Sequence, residues 1–279
     1  MGFIGRLNYF VELYLSVLKN IFKIRLWIPF TIYAILQFGV LVAFMYYVHP
    51  HVFPVLNPLV NLLGEQRADI FSHYPGLFLL LPSVVQWGKL LVGIIFEGLA
   101  AGLTSVLFLR IYSASHESAA SVKIAFSRWL HLLGVWVSIT AILLLVNWSL
   151  PSLLSDYLVG NPRRLMAFEA MMRLLTVSIY AVFIYAVPSV IVFRDNLLKA
   201  LGNSLRFFIH NPVFSFFLAL IPYLLTLPTS YITDNVSTIV TGFNPELVFF
   251  ILLAAIVIDL IVNFLVTGTV VKFLVDESS

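Results

Sequence analysis

LVFFILLAAIVIDLIVNFLVTGTVV, residues 247–271, is a run of 25 residues with a single ionisable side chain, Asp259. A helix needs about 20 apolar residues to cross the hydrocarbon core of a bilayer, which is about 30 Å thick. The run is apolar on every face, whereas a strand of a membrane β-barrel alternates between polar and apolar side chains. The stretch therefore predicts a transmembrane helix.

Five other segments meet the same length requirement. Residues 90–109 contain one acid, Glu97, and the other four segments contain no Asp, Glu, Lys or Arg. The composition agrees, because 61% of the residues are hydrophobic and only 10% are charged, against about 25% charged in soluble domains. We predict an all-α fold, a polytopic membrane helix bundle forming a single integral membrane domain over residues 1–279. Its six transmembrane helices cover residues 27–47, 90–109, 129–148, 174–193, 212–231 and 247–271.

Lysines and arginines are distributed unequally between the ends of these spans. Eleven of the 16 lie in the two terminal segments and in the second-to-third and fourth-to-fifth connections, which six spans place on one side. Cytoplasmic loops are enriched in such residues, so both termini are expected in the cytoplasm. Polar residues repeating every three or four positions in residues 1–25 predict an N-terminal amphipathic interfacial helix. The proline-rich, apolar connection 48–81 is expected outside, as an interfacial or re-entrant segment.

Several functional classes are disfavoured by what the sequence lacks. There is no cysteine, which excludes disulfides, thiolate metal sites and a cysteine nucleophile. The net charge of +3 is accounted for by topology, so no nucleic-acid partner is expected. The sequence contains no Gly-x-Ser-x-Gly, no His-Glu-x-x-His and no phosphate-binding glycine loop. We expect no enzyme activity and no cofactor.

Two acids lie inside the predicted spans. Glu97 and Asp259 each precede by 13 residues a basic residue at the cytoplasmic end of the span, which places both about 20 Å from that end. An acid at the bilayer centre costs about 2.5 to 3.5 kcal/mol on insertion scales, so it normally faces a partner. Asn263 and Thr267 follow Asp259 at four-residue steps and extend a polar stripe. No cation is expected at the depth of either acid.

Two interpretations of this polar group remain open. Two acids close together in a low dielectric resist double ionisation, so Glu97 and Asp259, with Asn263 and Thr267, would form an ion or proton site. Alternatively, each acid is protonated and hydrogen-bonded to Asn263, Thr267 or a tyrosine, and serves only to join helices.

Six cations are candidate contacts for lipid headgroups or protein partners. Lys89 and Arg173 are expected near the outer interface, where long side chains extend toward the headgroups. Arg163 and Arg164 are expected in an external loop. The remaining two lie in a short amphipathic helix of the fourth-to-fifth connection, which Asn196 is expected to cap. The six residues are Lys89, Arg163, Arg164, Arg173, Lys199 and Arg206.

Three histidines, His49, His51 and His73, share the external connection. A His-x-His pair can bind a metal ion. Because no matched carboxylate or cysteine accompanies these residues, we expect no metal site there.

Residues 187–221, VPSVIVFRDNLLKALGNSLRFFIHNPVFSFFLALI, resemble a pattern shared by poorly characterised bacterial six-helix membrane families. These include the membrane domain attached to some glycerophosphoryl diester phosphodiesterases. Pro188, Ala200, Leu201, Ser204 and Asn211 match that pattern in kind. The resemblance implies a six-helix fold in a bacterial cytoplasmic (inner) membrane. It implies no activity, because the phosphodiesterase chemistry resides in a separate domain.

These observations favour a non-enzymatic integral membrane subunit, scaffold or accessory factor of a larger membrane assembly. Its expected partners are membrane lipids and other membrane protein subunits. The alternative is a small proton- or cation-coupled transporter or permease that uses Glu97 and Asp259.

Overall fold

The computed structural model describes residues 3–61, 64–113, 122–158 and 162–278. Within these ranges the regular secondary structure consists of thirteen α-helices, and no residue is in a β-strand. The predicted all-α fold class is therefore confirmed.

Six helical segments are long and apolar enough to cross a membrane, as predicted, and the chain is accordingly a multi-pass membrane protein. Most of their helices extend past the predicted runs because a helix continues through polar residues at its ends, whereas the helices of the first and fourth spans end one or two residues before the predicted runs do. The spans are α2 (Ile24–Met45), α5 (Gly76–Tyr112), α7 (Trp129–Leu158), α8 with α9 (Pro162–Phe183 and Ala186–Val192), α11 (Pro212–Asp234) and α13 (Leu247–Ser278).

The fourth span is interrupted between α8 and α9. Ile184 and Tyr185 form a turn there, and Pro188 lies in the first turn of α9. In an unbroken helix the ring of a proline clashes with the carbonyl group four residues earlier, which here belongs to Ile184. The proline therefore accounts for the break.

The remaining helices are short and lie before or between the spans. Residues 48–81 contain two of them and the start of α5, so this connection includes no additional span. The helix between the fifth and sixth spans was not predicted. The short helices are α1 (Phe3–Leu18), α3 (Phe53–Asn61), α4 (Glu65–Phe71), α6 (Val122–Ser127), α10 (Leu197–His210) and α12 (Val236–Gly242).

The helices pack into two compact units, each with its own buried core. The core of unit 1 includes Val106, Leu132 and Val190, and the core of unit 2 includes Phe71 and Leu81. The single domain over residues 1–279 stays a prediction. Unit 1 comprises Met1–Pro29, Phe96–Tyr223 and Asn263–Ser279, and unit 2 comprises Phe30–Ile95 and Leu224–Val262.

The N-terminal helix α1 is an integral part of unit 1. Leu13 and Val17 on its inner face are fully buried, and the Tyr9 hydroxyl donates a hydrogen bond of 3.1 Å to Asp276. Burial and the negative charge of Asp276 both raise the pKa of Tyr9, so this hydroxyl keeps its proton and remains a donor at neutral pH. The helix ends at Leu18, earlier than the predicted residue 25.

Helix α10 follows a tightly bonded turn. The side chain of Asn196 accepts a hydrogen bond of 3.1 Å from the backbone N–H of Lys199, which confirms the predicted cap. Arg128 donates to the backbone carbonyl of Asp195 at 2.8 Å, and Asn203 donates to the Asp195 carboxylate at 2.6 Å. Asp195, held by Arg128 and Asn203, thus fixes the entry into α10 together with the Asn196 cap.

Candidate functional site

Asp259 forms an ion pair with Lys89. The Nζ atom of Lys89, on α5, lies 2.7 Å from Oδ2 of Asp259, on α13, and both residues belong to unit 2. The two side chains are 23% and 33% exposed. The expectation that neither intramembrane acid has a cation at its own depth is therefore wrong for Asp259.

The error came from the assumed position of Lys89. The predicted span began at residue 90, so Lys89 was expected at the outer interface. Helix α5 instead begins at Gly76, which places Lys89 13 residues, or about 20 Å, along the helix. A lysine within the helix, with a side chain several ångströms long, can reach an acid on the sixth span.

The ion pair lines a cavity of about 510 Å³ in unit 2. Gln86 lies one turn before Lys89 on the same wall, and Ala255 lies one turn before Asp259 on the wall formed by α13. Asp234, at the end of α11, adds a second carboxylate. A third wall carries hydroxyl groups from Thr226, Thr229, Ser230 and Thr233 of α11.

The hydroxyl groups of this third wall are oriented by their own helix. Thr229, Ser230 and Thr233 each donate to a backbone carbonyl three residues earlier, at 2.9, 3.0 and 2.9 Å. A hydroxyl that donates its proton still has lone pairs that can accept hydrogen bonds. The α11 wall is therefore rich in acceptors, whereas Lys89 and Gln86 place donors on the α5 wall.

Glu97 contacts a different residue of α13, in unit 1. Asn263 of α13 donates to its Oε1 at 3.4 Å, and Thr267, one turn further along α13, is 5% exposed. A Cβ added to the neighbouring Gly98 would lie 3.0 Å from the backbone oxygen of Leu132, so this glycine permits close approach of α5 and α7. Within unit 1, Glu97 and Asn263 join α5 to α13.

The other candidate cations lie on two helices. Arg163 and Arg164 are exposed in the first turn of α8, and Arg173 is half-buried within that helix. Lys199 and Arg206 are exposed on α10. Their roles in contacting headgroups or partners stay predictions.

The three histidines of residues 48–81 do not gather into a metal site. Among the described residues, no group of three or more histidine, aspartate or glutamate side chains is placed to hold a metal ion. His73 Nδ1 lies 2.9 Å from the carbonyl oxygen of Asp69, and the rings of His49 and His51 are 5.4 Å apart. Both contacts join residues no more than four positions apart in the sequence.

Lys89 and Asp259 were each named as candidate residues in different roles, whereas the other cavity residues were not predicted, although their spacing is visible in the sequence. Ser83, Gln86 and Lys89 recur every three residues, and Thr226, Thr229 and Thr233 recur every three or four. Such spacing places polar side chains on one face of a helix. The sequence therefore indicates a polar face on each of the second and fifth spans, but it does not indicate that the two faces line one cavity.

No protein-family model, curated protein or solved structure matches this chain. The resemblance of residues 187–221 to bacterial six-helix membrane families stays a prediction.

Proposed function

We infer that the protein is a non-enzymatic membrane protein that binds a small polar molecule in the cavity of unit 2, as a transporter or permease does. The observation that supports this function is the ion pair of Lys89 and Asp259 on the wall of a cavity lined by both polar and apolar side chains. Its volume of about 510 Å³ lies within the range of about 300 to 1,000 Å³ typical of small-molecule sites. Asp259 thus remains a site residue, and Lys89 replaces Glu97 as its partner.

The energetics of charge in a membrane favour a ligand-binding role over a purely structural one. A charged side chain at the bilayer centre is costly, and such residues usually mark ion or substrate pathways. A single ion pair is enough to join two helices, and it needs no surrounding hydroxyl groups. The hydroxyls of Thr229, Ser230 and Thr233 make the surroundings of this pair suited to a polar occupant or to water.

Cysteine labelling tests whether the cavity is hydrated, since the natural chain has no cysteine. Ala255→Cys places a thiol on the cavity wall, whereas Val257→Cys, two residues further along α13, places it at a site that is 50% exposed but outside the cavity lining. Only the thiolate reacts with a charged methanethiosulfonate, and apolar surroundings suppress the thiolate. We expect the Ala255→Cys variant in liposomes to react at least about tenfold faster than the Val257→Cys variant.

Two outcomes would contradict the proposed function. If the thiol at position 255 reacts as slowly as the one at position 257, no hydrated cavity exists in the membrane. If both react fast, the surface outside the cavity is also in water, and the assumed bilayer position is wrong. Denatured samples of both variants serve as the control for complete labelling.

The sequence-based proposal of a subunit, scaffold or accessory factor is supported by a different surface. Val48, Val55, Leu59 and Tyr74 lie in the connection outside the spans, and all are at least 44% exposed. In a bacterial inner membrane with cytoplasmic termini, as we also propose from the cation distribution, this surface would contact other membrane subunits. Gentle purification followed by mass measurement should then yield a complex with a second protein, and a monodisperse monomer would contradict it.

A further inference from the structure

The unit 2 cavity separates two kinds of polar group. Lys89 and Gln86 on α5 present hydrogen-bond donors, while the carboxylate of Asp259 and the hydroxyl oxygens of α11 present acceptors. Asp234 adds further negative charge at the end of α11. A ligand that satisfies both walls must carry an acceptor group at one end and a donor group at the other.

We propose that this cavity recognises a zwitterion, whose carboxylate or phosphate pairs with Lys89 and whose primary ammonium pairs with Asp259. The proposal rests on the proposed function and names the chemical class of its ligand. The ammonium, with three donors, also suits the hydroxyl oxygens of Thr229, Ser230 and Thr233. Gln86, one helical turn before Lys89 on the same wall, offers an amide as a further donor to the anionic group.

The ion pair itself argues against a ligand with one charge. Lys89 and Asp259 neutralise each other at 2.7 Å. An anion that separated them would occupy Lys89 and leave Asp259 without a counter-charge, and a cation would do the reverse. An uncompensated charge in a low dielectric is strongly destabilising, whereas a zwitterion exchanges one internal pair for two new pairs and leaves neither Lys89 nor Asp259 uncompensated.

Two sources could supply this chemistry. One is a free amino acid, and the other is the headgroup of a zwitterionic phospholipid such as phosphatidylethanolamine. Both carry an anionic group and a primary ammonium a few atoms apart, and both fit within about 510 Å³. The experiment therefore needs one arm for a soluble zwitterion and one for the lipid.

The Ala255→Cys protein provides the assay, because its thiol lies one helical turn from Asp259 and a bound ligand would shield it. In phosphatidylglycerol nanodiscs, labelling is measured with leucine, with isocaproate, which lacks the amine, and with isoamylamine, which lacks the carboxylate. In a second arm without added solute, labelling in phosphatidylethanolamine nanodiscs is compared with labelling in phosphatidylglycerol nanodiscs.

We expect one zwitterion source to slow labelling by about tenfold, which corresponds to about 1.4 kcal/mol. Protection by leucine identifies a soluble ligand, and protection by phosphatidylethanolamine alone identifies a lipid headgroup. Isocaproate and isoamylamine, at the same concentration as leucine, should leave the labelling rate within about twofold of the unliganded rate if each leaves one charge unpaired.

Single neutralisation should change this selectivity in a defined direction. Asp259→Asn leaves Lys89 as an uncompensated cation, so isocaproate should now protect the thiol. Lys89→Gln leaves Asp259 uncompensated, so isoamylamine should protect it instead. These gains of binding require a folded protein, and loss of folding cannot imitate them. The selectivity of the Ala255→Cys protein with both charges intact does not depend on whether either variant folds.

The zwitterion proposal is overturned if neither leucine nor phosphatidylethanolamine protects, or if a singly charged analogue protects the unaltered ion pair as well as leucine does. In either case rapid labelling of the Ala255→Cys variant would still support a hydrated cavity, so the proposed function would survive. Slow labelling of that variant without any ligand overturns the proposed function and the zwitterion proposal together.

Discussion

Replacing Lys89 with Gln or Asp259 with Asn is expected to lower the free energy of unfolding by about 2 kcal/mol, whereas replacing both should lower it by less than about 1 kcal/mol. Removing one partner of a fully buried ion pair costs about 3 to 5 kcal/mol because the other charge is left uncompensated. Exposed pairs contribute about 0 to 1 kcal/mol. With side chains 23% and 33% exposed, this pair lies between the two cases.

The double variant separates the cost of leaving one charge unpaired from the net contribution of the ion pair to the free energy of unfolding. Gln and Asn are close in shape to the residues they replace, and together they leave no net charge in the pair. A double-mutant cycle, measured by chemical unfolding in detergent micelles, should therefore give a coupling energy of about 3 kcal/mol in magnitude, at the upper end of the range found for directly contacting residues.

A second ion pair of the same chain provides a matched control. Lys272 and Asp276 are four residues apart on α13, are joined at 2.5 Å, and have side chains 27% and 30% exposed. Asp276 also accepts a hydrogen bond from Tyr9, so Lys272→Gln leaves it with a partner. We expect a loss of about 0.5 kcal/mol, typical of such helical pairs. Additive effects of Lys89→Gln and Asp259→Asn would show that those two residues do not interact.

The number and approximate positions of the spans were predictable because each is a long, nearly charge-free run. The run 247–271 lies within α13, Leu247–Ser278, and the run 212–231 lies within α11, Pro212–Asp234. In a bilayer every backbone polar group must be satisfied within the segment, which leaves helices as the solution for such runs. The cap at Asn196 was predictable because a helix cap depends only on the few residues that follow it.

The site was less predictable because it depends on contacts between residues far apart in the sequence. Lys89 and Asp259 are 170 positions apart. The predicted depth of Lys89 in the membrane also assumed that each helix begins and ends where its apolar run does. For α5 that assumption misses 14 residues at the start of the helix. Which faces of the second and sixth spans meet also depends on packing, and periodicity within one helix does not determine it.

The polar pattern nevertheless carried usable information. Asp259 and Asn263, one turn apart on α13, both contact α5, through Lys89 and Glu97. Helix joining by this stripe was one of the two interpretations that the sequence left open, and its division between a charged partner and an uncharged one was not predicted. Lys89 makes the part of the stripe around Asp259 a candidate binding site rather than a simple helix contact.

We propose that the chain crosses a membrane six times, with its termini in the cytoplasm. Val55→Cys, in α3, and Gly202→Cys, in α10, mark the first and fourth connections. Val55 is 70% exposed, and a Cβ at Gly202 would meet nothing within 4 Å, so neither change should disturb the fold. One span separates Val55 from the N-terminus and four separate Gly202 from it, which places the two positions on opposite sides.

The most direct measurement is labelling of these two variants with a membrane-impermeant maleimide in intact spheroplasts and again after permeabilisation. From the six-span arrangement with cytoplasmic termini, we predict that the thiol at position 55 reacts in intact spheroplasts and that the thiol at position 202 reacts only after permeabilisation. Reaction of both thiols from the same side would contradict the six-span arrangement. Reaction on opposite sides but in the reverse order would retain the spans and contradict the cytoplasmic location of the termini.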